Sequence, residues 1–239
     1  MKLVFIELEW MQNLDDLKKS EFRLAGLDEV GRGPLAGPVI SGVAYFCGTK
    51  KSLLAHLEKL VELKVTDSKK LTTKKRRKII SDIGIDLESL EIGKEIPLKI
   101  FNEEISLYLD EASHSEIDQI NILQASLTSM ARCAHCFADK SDSLMLAFFD
   151  GNKIPDQLSS KIKAASLIKG DSKSALIGLA SIVAKEFRDF HMEKLAKIYP
   201  GYGFEKHAGY PTQQHREAIK SLGVTPIHRK SFKGVKEYL

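Results

Sequence analysis

The sequence predicts an α/β fold: a mixed five-stranded sheet flanked by helices, followed by a helical C-terminal extension. Three observations carry this. Residues 23–30 and 38–46 are strand-like runs separated by the glycine- and proline-rich turn Gly31-Arg32-Gly33-Pro34-Leu35-Ala36-Gly37, which suits a hairpin-like pair. Leu144 to Phe149 is a continuous apolar run of strand length, the mark of a strand buried on both faces and paired in parallel. Helix-spaced apolar residues then alternate with short strands, the order expected of an α/β sheet.

The elements follow in order. The second strand has no proline after Pro38, so its ladder is uninterrupted. A helical stretch over 52–63 leads to Thr66-Asp67-Ser68-Lys69-Lys70-Leu71-Thr72, where hydroxyls and an acid cluster as in a loop entering a helix cap, and Thr73 to Asp82 reads as helix. Residues 84–102 are ambiguous. Ile105, Leu107 and Leu109 alternate with Ser106, Tyr108 and Asp110, a half-buried strand. Ile117, Ile120, Leu123, Leu127, Met130 and Ala134 are spaced by three and four, which predicts one amphipathic helix over 117–137. Ile162 to Ile168 reads as a strand, and Ser172 to Ile198 as the longest helix. The expected division is an N-terminal extension over 1–20, in which Met11 is an alternative start, a catalytic domain over 21–200 and a basic helical region over 201–239.

Composition excludes several classes. The 239 residues contain no apolar run of about 18 residues, so no membrane span is expected. Leu3-Val4-Phe5-Ile6 is too short, and too soon followed by Glu7 and Glu9, for a signal peptide. Three cysteines form no disulfide framework and fit a reducing compartment, so a cytoplasmic monomer is expected. The formal charge is +4, but the segment from Lys206 onward carries +5, leaving −1 for the rest. A cationic region beside an acid-bearing core suits an enzyme acting on a polyanion, and a solvated helical tail explains the charge equally well.

Three predicted strand ends carry acids: Asp28 with Glu29, Asp150, and Asp171 after Lys169-Gly170. Ligand groups gather at strand ends in open α/β sheets. Neighbouring strand residues face opposite sides, so Asp28 and Glu29 share a site only if Glu29 lies where the strand frays into the turn. Four carboxylates on one edge need cations, and an oxygen-only donor set selects Mg²⁺ or Mn²⁺. Two such ions about 4 Å apart suit phosphodiester hydrolysis. Plainer alternatives are an exposed loop pair for Asp28 and Glu29, a turn-forming Asp-Gly for Asp150 and a helix cap for Asp171. Asp189 lies 18 positions beyond Asp171, about 27 Å along a continuous helix, so the two cannot share a metal centre, and Asp189 reads as part of a charged face.

Lys69, inside its loop, is a phosphate-contact candidate, whereas Lys74 to Lys78 reads as a solvated helix face. Cys133-Ala134-His135-Cys136 lacks the second ligand pair a zinc site needs. Tyr202, Phe204, His207 and Tyr210 suit either stacking on a nucleotide or buried packing. A non-catalytic nucleic-acid-binding protein is the rival reading. Against it, such a protein has no use for uncompensated carboxylates where a phosphate must approach.

The motifs Asp28-Glu29-Val30-Gly31-Arg32-Gly33-Pro34, Asp67-Ser68-Lys69-Lys70-Leu71, Ile117-Asp118-Gln119-Ile120-Asn121-Ile122, Asp150-Gly151-Asn152, Lys169-Gly170-Asp171 and His207-Ala208-Gly209-Tyr210-Pro211-Thr212 closely resemble, in order, those of bacterial ribonuclease HII. The resemblance spans residues 23 to about 233. It implies a ribonuclease H-like fold, Mg²⁺ or Mn²⁺ as cofactor, and cleavage of RNA in RNA–DNA hybrids and at single ribonucleotides in duplex DNA. It further implies that Asp28, Glu29, Asp150 and Asp171 form the acidic site and that Gly31, Arg32, Gly33 and Tyr210 read the ribose–deoxyribose junction. Ser68 and Lys69 are expected to join them as substrate-binding residues. Ribonuclease HIII, a close relative, usually shows Glu in the place of Asp171 and a long N-terminal binding domain; this chain shows neither.

Overall fold

The computed structural model describes residues 6, 7, 9 and 21–239, so most of the expected extension over 1–20, Met11 included, lies outside the described residues. The Gly-Pro turn folds β1 (Phe22–Val30) back against β2 (Val39–Gly48) as an antiparallel pair with Asp28 opposite Gly42 and Glu29 opposite Ser41. β4 (Ile105–Ala112) joins the far side of β2 antiparallel. β5 (Met145–Asp150) lies parallel to β1, with Leu27 beside Phe149, and β6 (Ile162–Leu167) lies parallel to β5. The sheet is mixed, as expected. The described residues form six strands, not five, and with β3 (Glu95–Pro97) at one edge the order is β3-β4-β2-β1-β5-β6. The extra strand, β3, comes from the ambiguous 84–102 segment; it is three residues long, pairs only with β4 and ends in proline, too short for an alternation signal.

Helices cover both faces. On one face lie α1 (Lys50–Glu62), α2 (Thr73–Asp82) and a helix over Ala175–Ile198, packed on Leu24, Ile40, Phe46, Leu107 and Phe148. On the other, Leu127, Met130, Ala134 and Phe137 pack against Leu27, Val43 and Phe149. Each fully buried Leu, Ile, Val or Phe among them contributes about 1.5–3 kcal/mol relative to exposure.

The helix expected over 117–137 is two helices, α3 (His114–Ile120) and α4 (Ile122–Ala138). Asn121 breaks it, with φ 68° and ψ 162°, and its side chain accepts the N–H groups of Leu123 and Gln124 as the α4 cap. The apolar spacing crosses this break without a change of phase, so periodicity alone could not reveal it.

The long helix, α5, begins at Ala175 rather than Ser172, capped by Ser174. Glu7 is buried beside that end, accepting the Ser174 hydroxyl at 2.6 Å and the Leu176 N–H at 3.3 Å. Beyond α5 come α6 (Phe204–His207) and α7 (Gln213–Leu222). They form a smaller core of Tyr202, Phe204, Ile219 and Val235 with Leu35, Ala36 and Met192, so the C-terminal region packs against the turn after β1.

Candidate active site

The parallel register of β1 and β5, with Leu27 beside Phe149, brings Asp28, inside β1, next to Asp150, the last residue of β5. A close helix approach supports this edge. A Cβ on Gly26 would lie 2.4 Å from the Ile177 nitrogen, and one on Gly42 would lie 2.9 Å from the Ala180 carbonyl oxygen. With no side chains in the way, α5 presses on the sheet and brings Ser181 under Asp28, where its hydroxyl bonds the Asp28 carboxyl and lies 2.9 Å from that of Ser68. Asp28 also accepts the Glu29 N–H at 2.8 Å and is 7% exposed.

Glu29 lies inside β1, not beyond its end, and pairs with Arg32 at 3.3 Å. Asp150 accepts the Gly170 N–H at 2.6 Å. Asp171 is not the cap of α5: it sits in a short 3₁₀ turn, Gly170–Ser172, and its carboxyl shares a hydrogen bond with that of Asp67. Asp189 is held by Lys185 at 2.6 Å and Arg76 at 3.5 Å, in the charged network expected of it.

The electrostatics tie the acids together. Burial pushes the Asp28 carboxyl well above its usual range, and the charges of Glu29, Asp150 and Asp171 push it further. Burial also raises Glu29, with Asp150 adding to the rise and Arg32 opposing it. Asp171 is raised to about 6 by burial, Asp150 and Asp67. Lys69 answers from the other sign: burial would lower its ammonium, but Asp28, Asp171, Asp67 and Asp150 hold it above its ordinary value. Like-charged carboxylates that raise one another are a site short of positive charge.

The oxygen-only donors suit Mg²⁺ or Mn²⁺. Among the described residues no three acidic, His or Cys side chains already stand in a metal-holding arrangement.

Beside the acids lies a cleft of about 570 Å³, lined by Glu29, Asp150, Lys69 and Tyr210 and by the turn residues Gly31, Arg32 and Gly33. Tyr210 stands across from the turn: a Cβ on Gly33 would meet its ring at 3.5 Å. Of the expected residues, Glu29, Gly31, Arg32, Gly33, Lys69, Asp150 and Tyr210 line this cleft, while Asp28 and Asp171 lie behind it, within reach of the charge of Asp150. Ser68 is 3% exposed and its hydroxyl is engaged by Ser181, so it faces the protein beneath Asp28 rather than the cleft.

Several contributors escaped the sequence reading. Leu123, Leu127 and Met130 form a wall of the cleft, although their spacing marked them only as the apolar stripe of a helix. Asp67 pairs with Asp171, and its position in the motif beside Ser68 and Lys69 was the available signal. Within the run Lys74 to Lys78, Arg76 is not solvated: it is buried, bonded to Glu186 at 2.5 Å and to the carbonyls of Ser68 and Leu71, and so anchors the loop that presents Lys69. Tyr202 and Phe204 are buried, and Tyr210 is 39% exposed.

Comparison with known proteins bears on the family and the fold. Residues 25–235 match the family Ribonuclease HII. The chain is 40% identical over 221 residues to the ribonuclease HII of Ruegeria pomeroyi, covering 92% of this chain and 80% of that one. The crystal structure of the ribonuclease H2 from Pyrococcus horikoshii OT3 superposes with a TM-score of 0.60 at 26% identity, over 91% of this chain and 97% of that one. Bst-RNase HIII, solved in complex with Mn²⁺, shares the fold with a TM-score of 0.63 at 16% identity, over 93% of this chain and 70% of that one. The chain belongs to the ribonuclease HII family of endoribonucleases, hydrolases that act on RNA–DNA hybrids.

Proposed function

We propose that the chain cleaves the RNA strand of RNA–DNA hybrids and also incises 5′ of single ribonucleotides in duplex DNA, leaving 3′-hydroxyl and 5′-phosphate ends. The observation that carries this reading is the placement of a mutually strained acid cluster next to a cleft bounded by an unobstructed glycine turn and an exposed tyrosine. Asp28, Glu29, Asp150 and Asp171 would hold Mg²⁺ or Mn²⁺ in a two-metal arrangement. When bound, such ions supply a water of lowered pKa and offset the charge that develops on the phosphate. The chain does the rest. Ser181 and the Glu29 N–H fix Asp28, and the Gly170 N–H fixes Asp150. Lys69 contributes positive charge where the phosphate must pass the acids. Gly33 lets a ribose approach the backbone closely enough for its 2′-hydroxyl to be sensed, and Tyr210 offers a flat surface to the next, deoxy sugar.

The test is cleavage of an end-labelled RNA–DNA hybrid by the parent and by Asp150→Asn, with Mg²⁺ or Mn²⁺ and with chelator. Cleavage that needs the ion and is lost in the variant is expected. Metal-independent cleavage, or activity in the variant within tenfold of the parent, would overturn the reading.

A further inference from the structure

Two arginines that take no part in the chemistry above lie directly beneath the glycine turn. Arg188 of α5 and Arg229 of the C-terminal region are both 0% exposed. Among the described residues neither has a carboxylate within ion-pair distance; each is bonded instead to main-chain carbonyls. Arg229 donates to Gly31 at 2.6 Å, Arg32 at 2.9 Å and Gly37 at 3.0 Å. Arg188 donates to Pro38 at 2.9 Å, Ala36 at 3.2 Å and Ala208 at 2.9 Å. Buried cations are usually paired with anions, so two unpaired guanidinium groups under one turn call for an explanation.

Peptide geometry supplies it. In a trans peptide the C=O of one residue and the N–H of the next point in opposite directions, and no cis peptide occurs among the described residues. Arg229 draws the Gly31 and Arg32 carbonyls inward, so the N–H groups of Arg32 and Gly33 point away from it. These N–H groups donate to no main-chain acceptor among the described residues, and both residues line the cleft. Successive outward N–H groups form an anion-binding concavity. Gly31 fits the same design: at φ +95°, a Cβ there would lie 2.2 Å from the Arg188 Nε, so the guanidinium occupies the space a side chain would need. Burial holds both guanidinium pKa values down, Arg188 at about 10 and Arg229 at about 9, the latter also through the charge of Arg188; both remain cationic at neutral pH.

We propose that Arg188 and Arg229 are positioning residues that turn the Gly31–Gly33 segment into a cradle for a substrate phosphate, aiming its N–H groups at the cleft and leaving two uncompensated positive charges behind them. The proposal rests on the nuclease reading for the identity of the anion. The cradle itself rests only on the geometry.

The test uses the full chain with Arg188→Gln and Arg229→Gln, which remove charge but keep donors, and Arg229→Lys, which keeps charge. Folding is followed by thermal melting, hybrid cleavage by KM and kcat, and the Arg32 and Gly33 amide resonances by titration with inorganic phosphate. Folded Gln variants should show a KM raised about tenfold with a smaller change in kcat, together with a lost amide response to phosphate, and Lys should restore part of the KM. Folded Gln variants with parental KM and parental phosphate response would overturn the proposal. If the Gln variants do not fold, the parent decides: Arg32 and Gly33 amides that ignore phosphate contradict the cradle. Failure of the parent to cleave any hybrid would instead count against the nuclease reading, leaving the phosphate titration to judge the cradle by itself.

Discussion

A methyl group added at Gly31 and one added at Gly33 have different consequences, and the difference separates architecture from recognition. At Gly31 the positive φ and the Arg188 guanidinium leave no room, so Gly31→Ala should lower stability by about 1–3 kcal/mol, read as a fall in melting temperature. At Gly33 the Cβ meets only the edge of Tyr210 at ordinary contact distance. Gly33→Ala should melt with the parent yet lose activity on single ribonucleotides, because the methyl stands where a sugar must approach. Equal melting losses in the two variants would contradict this division. Among the acids, Asp28→Asn should abolish cleavage while leaving hybrid affinity within a few-fold of the parent, since affinity comes mainly from phosphate contacts elsewhere. A large loss of binding measured by fluorescence anisotropy would show that Asp28 shapes the cleft rather than the chemistry.

Between α7 and the segment that follows it, His215 and His228 form a buried relay. The Thr225 N–H donates to His228 Nδ1, the two Nε2 atoms lie 3.1 Å apart, and His215 Nδ1 reaches the Tyr210 carbonyl at 3.0 Å. One proton between the rings and one on His215 Nδ1 satisfy this chain with both rings neutral. Burial lowers each from an ordinary value of 6.5 to about 4. The unfolded chain therefore takes up protons near pH 6.5 that the folded chain refuses until about pH 4. The pair's contribution to stability is complete above pH 6.5 and declines as the pH falls from 6.5 toward 4. NMR should show both imidazoles unshifted between pH 7 and 5; titration centred near 6.5 would contradict the relay. This element was invisible in the sequence, where two histidines 13 positions apart share no period. β1, β2, β4, β5 and β6 were legible because their apolar alternation or continuity is a property of the strand itself. The break at Asn121 and the edge strand β3 were not: one is a single residue's backbone conformation, and the other is too short to carry a pattern. At the site, acids at strand ends were legible from position. Ser181, Arg188 and Arg229 were hidden because each acts through a contact more than a hundred residues away in sequence.

The C-terminal region carries most of the excess positive charge, but it is also part of the turn's support through Arg229 and through its bridge to Ala36. Cutting the chain before Lys206 would therefore disturb the fold along with the charge. Neutralising Lys220, Lys230, Lys233 and Lys236, which are largely exposed, isolates the electrostatic part. Glutamine at all four should flatten the dependence of hybrid affinity on salt without lowering the melting temperature, and an unchanged slope would show that this surface does not meet nucleic acid. In the proposed function the molecule acts as a unit, with acids from β1, β5 and the turn before α5 cutting where the glycine turn and Tyr210 read a sugar. This is tested most directly by a duplex DNA carrying one ribonucleotide, incubated with Mg²⁺ or Mn²⁺ and resolved on a sequencing gel beside a long RNA–DNA hybrid. A single incision on the 5′ side of the ribonucleotide, with 3′-hydroxyl and 5′-phosphate ends and selective loss in Tyr210→Ala, is the predicted result. An intact duplex alongside a cleaved hybrid would contradict it.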